Sequence, residues 1–421
     1  MDQGRTLVIA VDGLDAADLA DGPLTDPGSP LRDALLRHAV PLEIRTGGPS
    51  EPSPALVSLM TGASVGHTGV AMELAFDPAE PAVGGVWYHD DLRIPTLLEV
   101  ARSRGAVTCA LQWPATAGSG VDLCLPLVED LRRYRDRWSM AEQTSSPRMV
   151  AEHLRHRREA GLHLSQIEPD SLVGQVSEEA LSGGRVDLAM VRLTGLGRAR
   201  RREGCTSSAA RRALAVTVEA LDRLVVAFAA TEEDRIVLVP GRPLVPVELL
   251  VHPNAVLERH GLVRTDGPRL AGFRALVWPD GPRGALHVRR GESPSVGRAA
   301  MEALAEVAAH YRLRLRPVDD GVGATAQTDV IAVLEGTPGT VFGLSPTHRP
   351  LVEGDDPYYA GPRAVADPTA STTVLGSGPG LPGTRVEGGW ADLGVTLAES
   401  MGLVLPAATA SGMRPAALAE A

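Results

Sequence analysis

The chain contains no lysine, so all 41 of its basic residues are arginine. This excludes a lysine Schiff base and the lysine of a phosphate-binding loop. A GC-rich bacterial genome gives the same bias towards Arg, Ala, Gly and Pro, so the absence reads as compositional. Cysteine is scarce too: Cys109, Cys124 and Cys205 lie far apart without a Cys-x-x-Cys spacing, as reduced thiols of a cytosolic protein do. No uninterrupted apolar run approaches the ~18 residues of a membrane span. The opening "MDQGRTLVIAVDGLD" lacks the basic region, long apolar stretch and small-residue cleavage site of a secretory signal, so a cytoplasmic location is expected. No internal repeat is present. Positive charge is in deficit, with a formal net charge of −11 and a pI near 5.5, which argues against nucleic acid or anionic membrane as the main partner.

What is present suits an α/β enzyme. At 421 residues and 44% hydrophobic, the chain can form one large domain with an insertion, or two ordinary ones. "TLVIAVDG" is a continuous apolar run ending in Asp12-Gly13, the pattern of a buried parallel strand with a carboxylate at its C-terminal end. Sites in open α/β sheets gather at such ends. "PALVSLMTGA" predicts a helix stopped by Gly62, and "IPTLLEVARSRG" a helix followed by the strand "AVTCALQWP". "VDLAMVRL" predicts another strand, "TGLGRARRREG" a loop, and "SAARRALAVTVEALDRLVVAFAA" a long helix leading into the strand "RIVLVP".

This alternation predicts a mostly parallel sheet with helices on both faces. From about Val245 to Thr328 the pieces become shorter and more irregular, which predicts an inserted α+β cap. "DVIAVLEG" is expected to resume the main sheet, so the core comprises residues 1–244 and 329–406, the cap 245–328, and a frayed tail 407–421.

The order of motifs resembles the type I phosphodiesterase/nucleotide pyrophosphatase branch of the alkaline phosphatase superfamily. "VIAVDGL" is similar to its first metal-aspartate strand and "PSEPSPALVSLMTGASVGHTGV" to its nucleophile segment. "IPTLLEVARSRG…WP" and "GSGPGLPG…ADLGVTLAESMGL" are similar to later segments, so the resemblance covers nearly all of the chain outside the cap. It implies an alkaline-phosphatase-like sheet and two divalent metals, usually zinc, held by Asp and His beside a Thr or Ser nucleophile. Asp12 falls on a ligand position, and His348 in "SPTHRP" on the late histidine. The other matches are unlike the family. Pro52 falls on the nucleophile, with Ser50 and Ser53 nearby; Gly197 and Arg201 fall on one Asp/His ligand pair, and Gly241 and Arg242 on another.

Two ligand histidines thus become arginines, and two ligand aspartates become glycines. Arginine stays charged at working pH, and its planar fork matches a sulfate or phosphate. The expectation is a site without metal or other cofactor, in which Arg201, Arg242 and Ser53 bind an ester oxyanion. The substrate's own amine displaces the oxyanion and closes a small ring such as an aziridine, with Asp12 or His348 taking the proton. This is similar to aziridine-forming steps of actinobacterial natural-product pathways that work on a sulfated chain on an acidic carrier protein. Two other functions stay open: a non-catalytic anion-binding or protein-binding relative, and a residual metal-dependent phosphodiesterase.

Plainer roles stand beside these. Asp12 can cap a turn or pair with Arg242, and His348 can be a surface residue. His89 and Asp90 in "GVWYHDDLR" are candidates for a pocket wall, although Trp87 and Tyr88 beside them suit packing. Arg198, Arg200, Arg202, Arg211 and Arg212 form a basic patch, a solvated face or a dock for an acidic carrier protein.

Overall fold

A computed structural model describes residues 4–20, 22–45, 51–76, 84–130, 132–267, 269–318, 324–325, 327–347, 351–353 and 364–415. Its centre is a nine-stranded sheet. The spatial order is Arg414–Pro415, Val386–Gly388, Val40–Ile44, Thr372–Ser377, Arg235–Pro240, Thr6–Val11, Leu188–Leu193, Thr108–Leu111, Leu123–Leu125. Thr6–Val11 runs parallel to both of its neighbours, and the sheet stays parallel out to Leu123–Leu125. Thr372–Ser377 is antiparallel to both of its neighbours.

The central strand is buried at every position and apolar from Leu7 on, because both faces are covered. Leu7, Ile9 and Val11 face one core, which is closed by the helices Pro169–Leu181 and Ser208–Phe228. Val8 and Ala10 face the other, closed by Pro52–Thr61, Leu97–Ser103 and Trp390–Ser400. Local chemistry sets the helix starts. Pro52 occupies the first turn of its helix, where a missing N–H costs nothing. Thr96 and Glu99 form a capping box, and the Ser207 hydroxyl accepts the Ala210 N–H.

The insertion is larger than its sequence pattern indicates. Thr328–Glu335 does not return to the main sheet; it pairs antiparallel with Arg283–Arg289 and Arg314–Pro317 in a four-stranded cap sheet. Its alternating burial, with Asp329 exposed, is that of a sheet with one covered face. The helix Pro294–Tyr311 packs on that covered face. Thr340–Phe342 also belongs outside the main sheet, pairing with Leu249–Val251. The ribbon of Leu244–Pro246 and Ala364–Ala366 marks where the chain leaves and re-enters the core.

The expected frayed tail is also corrected, from 407 to 415. Arg414–Pro415 adds an edge strand, Thr409 bonds through N–H and hydroxyl to Gly62 and Ser64, and the Met413 N–H reaches Thr396 Oγ1. Residues 416–421 lie outside the described residues.

Candidate active site

The parallel register brings three strand ends together. Ala10 lies beside Arg192 on one side and Val239 on the other, so Asp12, Arg192 and Gly241 emerge at the same edge. A cleft of about 340 Å³ opens there, lined by Asp12, Ser53, Glu73, Arg192, Arg198 and Arg201 among others.

Arg192 is the organising group. Strand alternation puts it on the face of Leu188 and Met190, directed at the start of the helix Pro52–Thr61. Its Nη2 donates to Asp12 Oδ2 at 2.7 Å, and its Nε reaches Asp12 Oδ1 at 3.1 Å. Nη1 donates to Ser53 Oγ at 3.2 Å, and Nη2 also reaches Glu73 Oε1 at 3.4 Å. Burial opposes this charge, but Asp12 and Glu73 overcome it and hold the guanidinium protonated.

Glu73 is placed by a second alternation. In "AMELAF", Met72, Leu74 and Phe76 pack under the cap, which turns Glu73 the other way, into the cleft. Its carboxylate accepts the Ser53 N–H at 2.6 Å and the Ser53 hydroxyl at 2.8 Å. An internal anion therefore occupies the positive end of that helix. Burial pushes the Glu73 carboxyl up, but Arg192 and the Ser53 bonds outweigh it and hold it below its ordinary range.

A second ionic group completes the floor. Arg201 Nη1 donates to Glu51 Oε2 at 3.0 Å. Asp280, from the cap, lines neither cavity but accepts the Glu73 N–H on Oδ2 at 2.8 Å. Burial and the neighbouring acids raise the carboxyls of Glu51 and Asp280, the latter strongly. Gln112, on the cleft wall, has a left-handed backbone with φ 53° and accepts the Thr194 hydroxyl through Oε1.

The segment read as an arginine-rich loop is the helix Gly195–Glu203, started by Asp170, which accepts the N–H groups of Thr194 and Gly195. Helical spacing divides the arginine run. Arg200 turns inward and binds Gly13 O and Asp18, so it is not part of any docking face. Arg198 pairs with Glu129 at the cleft wall, while Arg202, Arg211 and Arg212 are exposed.

The other candidates divide similarly. Asp12 pairs with Arg192; Arg242 instead donates to the Ala370 carbonyl and lines a smaller cavity of about 30 Å³ behind Asp12. Burial pulls the Arg242 charge down, and Arg283 adds to that. His89 does not line the cleft: it sits 3.2 Å from Glu99 at a helix start, and Asp90 is exposed beside it, leaving Trp87 as that segment's contribution. His348 and Ser50 lie outside the described residues. The residues missed by sequence reasoning are Arg192, Glu73, Glu51 and Asp280. The available signal was a lone charge in an apolar strand, as in "DLAMVRL" and "AMELAF".

A model of the family described as type I phosphodiesterase / nucleotide pyrophosphatase matches residues 6–324, and the chain belongs to that family. Among solved structures it is similar to human ectonucleotide pyrophosphatase / phosphodiesterase 5, at 12% identity over 97% of each chain with a TM-score of 0.59. The murine counterpart gives 13% identity over 95% of this chain and 96% of that one, with a TM-score of 0.58. An inactive variant of the murine protein, in complex with AMP, gives 13% identity over 96% of each chain and the same TM-score, 0.58. No curated protein matches the chain. At these identities the structural likeness establishes the alkaline-phosphatase-type fold and nothing finer.

The side chains described here do not fit the two metals that the resemblance implies. Among the described residues, no group of three or more His, Cys, Asp and Glu side chains is arranged to hold a metal ion. The glycines are packed tight: a Cβ on Gly197 would stand 2.6 Å from Asp12 Cβ, and one on Gly241 would meet the Gly13 nitrogen. The backbone has closed over the space that two aspartates would need. The fixed cation bound to Asp12 is Arg192.

Proposed function

We propose that this chain is a metal-independent enzyme that cleaves a sulfate or phosphate ester by attack of an amine on the neighbouring carbon of the same substrate. The observation that carries the reading is the buried Arg192, which meets the carboxylate of the first strand edge-on. A guanidinium supplies permanent positive charge but no activated hydroxide, so the nucleophile comes from the substrate. The N–C bond forms as the C–O bond breaks, the electron pair leaves on the sulfate or phosphate, and the amine proton passes to a carboxylate. Asp12, with both oxygens held by Arg192, is a poor acceptor. Glu51, kept basic by burial and neighbouring acids, is a better one. Arg201 and Arg198, both lining the cleft, meet the departing oxyanion. Where a carrier protein delivers the substrate, Arg202, Arg211 and Arg212 are its docking residues.

The test is incubation with 2-aminoethyl hydrogen sulfate, reading sulfate by ion chromatography and the ring by mass spectrometry. Aziridine and sulfate in equal amounts are the expected outcome; ethanolamine in place of aziridine, or no sulfate, overturns the reading. A non-catalytic anion binder is the second reading, favoured by the internal carboxylates that already hold Ser53 and Arg201. It requires ester binding without turnover.

A further inference from the structure

Among the described residues four non-glycines have a left-handed backbone, Gln112, Ala115, Ala229 and Arg312, and of these Gln112 alone lines the main cleft. A residue kept in that costly conformation at a cleft wall points to a function for its side chain. The Gln112 side chain is held from one end. The Thr194 hydroxyl donates to its Oε1 at 3.3 Å, and the Thr194 N–H is itself pinned to the buried Asp170 carboxylate at 2.8 Å. Nε2 has no hydrogen-bond partner among the described residues, and it is not sealed from solvent although Gln112 as a whole is only 5% exposed. A carboxamide fixed through its oxygen therefore presents its N–H groups to the cleft.

Its place along the sheet edge sets what it can meet. The strands Thr6–Val11, Leu188–Leu193 and Thr108–Leu111 are consecutive neighbours, so Gln112 stands two strand spacings, about 10 Å, from Asp12. Arg201 lies towards the other flank, where it borders the smaller cavity beside Val239 and Pro240 as well as the cleft. Around Gln112 the cleft wall is apolar, formed by Trp87, Pro114 and Leu127. The Gln112 N–H donates to the Leu125 carbonyl at 2.7 Å, and the Ala115 and Ala117 N–H groups donate to the Val86 and Trp87 carbonyls at 3.1 and 3.0 Å, which holds these segments together. A Cβ on Gly85 would stand 2.3 Å from Trp87 Nε1, so glycine there lets the indole lie across the strand and close that wall.

We infer that Gln112 is a specificity-determining residue, with Thr194 as its positioning residue: the Nε2 N–H takes a neutral oxygen acceptor, a carbonyl, in a substrate whose hydrocarbon part lies against Trp87, Pro114 and Leu127. This rests on the reading that arginines bind an ester oxyanion and deepens it by describing the rest of the substrate; it does not use the amine. A neutral donor among apolar side chains suits a neutral acceptor, because an anion taken there would leave water without a compensating charge. With Arg201 at the other flank, a ligand that satisfies both ends is longer than 2-aminoethyl hydrogen sulfate. It is an ester whose chain carries an acyl group.

The test is equilibrium binding to the full chain, by calorimetry, of 5-oxo-5-phenylpentyl sulfate against 5-phenylpentyl sulfate, and of the same pair one methylene shorter. In at least one pair the ketone is expected to bind about fivefold tighter or more. Gln112→Asn keeps a carboxamide and tolerates the left-handed backbone but falls one methylene short, and it is expected to bring that ratio to about one. Gln112→Gly, which suits φ 53°, serves if thermal melting shows that the asparagine variant fails to fold. Thr194→Val, which frees the carboxamide to turn, is expected to lower the ratio by about twofold; an unchanged ratio removes the positioning role. No ketone preference in either pair, or no heat from any of these esters at millimolar concentration, overturns the inference. So does a ratio that survives in the folded Gln112 variants, even with both affinities lowered as the loss of a donor to the sulfate itself would lower them. Ketone preference without sulfate release from 2-aminoethyl hydrogen sulfate leaves the acceptor site standing and refutes the ring-closing reaction. Ring closure without ketone preference does the reverse.

Discussion

Replacing Arg192 with leucine tests whether its buried ion pair with Asp12 holds the strand ends together. The substitution keeps the apolar stem's volume and removes every bond to Asp12, Ser53 and Glu73. Breaking a buried ion pair from one side costs roughly 3 to 5 kcal/mol, because the remaining carboxylate is left without compensation. The Asp12 and Glu73 side chains are 15% and 28% exposed, so water re-enters in part and the lower value, about 3 kcal/mol, applies. Unfolding entropy of ~2.1 cal/mol/K per residue gives ~0.9 kcal/mol/K for this chain, so Tm should fall by about 3 °C in a calorimetric scan. Adding Asp12→Asn to Arg192→Leu should recover about half of the loss, since most of it is the stranded charge. A Tm within about 1 °C of the unaltered protein, or strictly additive effects, would refute the idea that this pair holds the strand ends together.

Other outcomes follow from the same geometry. Asp280 has a raised folded pKa, so it takes up protons on folding and costs stability as pH rises from its unfolded value through the folded one. Asp280→Asn, facing Glu51, Glu73 and Arg201, should therefore gain Tm over the unaltered chain increasingly as pH goes from 4 to 8; a flat difference contradicts this. Gly241→Ala should lose about 1 to 3 kcal/mol in denaturant titration, because the new methyl meets the Gly13 backbone. Truncation after residue 406 should lower Tm measurably through loss of the edge strand and the Thr409 bonds, whereas a free tail would leave it unchanged. Asp234→Ala should destabilise at neutral pH by about 2 kcal/mol, and progressively less as pH falls below the ordinary carboxylate range and through the lowered folded value. The reason is that Arg5 and the Thr231 and Arg5 N–H groups hold its carboxyl low against burial, and that stability disappears as acid protonates it.

The parts of the fold legible in the sequence were those with a strong local period. After their first residues, Thr6 and Arg235, "TLVIAV" and "RIVLVP" are apolar because each is covered on both faces, and the Ser208–Phe228 helix carries its own cap and stripe. The exit from the cap was misread because a half-buried cap strand and a core strand differ in what covers them, which a short apolar run does not state. "GRARRRE" looked like a loop because its arginines find partners on other elements, at Glu129, Gly13, Asp18 and Glu51.

The sequence by itself determined the class of fold, the family and the aspartate at the end of the first strand. Tertiary structure decided the partnership. Arg242, the cation after the strand Arg235–Pro240, turns to the Ala370 carbonyl, and Arg192, from the neighbouring strand, takes Asp12. Glu73 and Asp280 come from segments 207 residues apart and meet on one hydrogen bond. Charges pair by distance in space, and parallel strands with long crossovers bring together ends that the chain order keeps far apart.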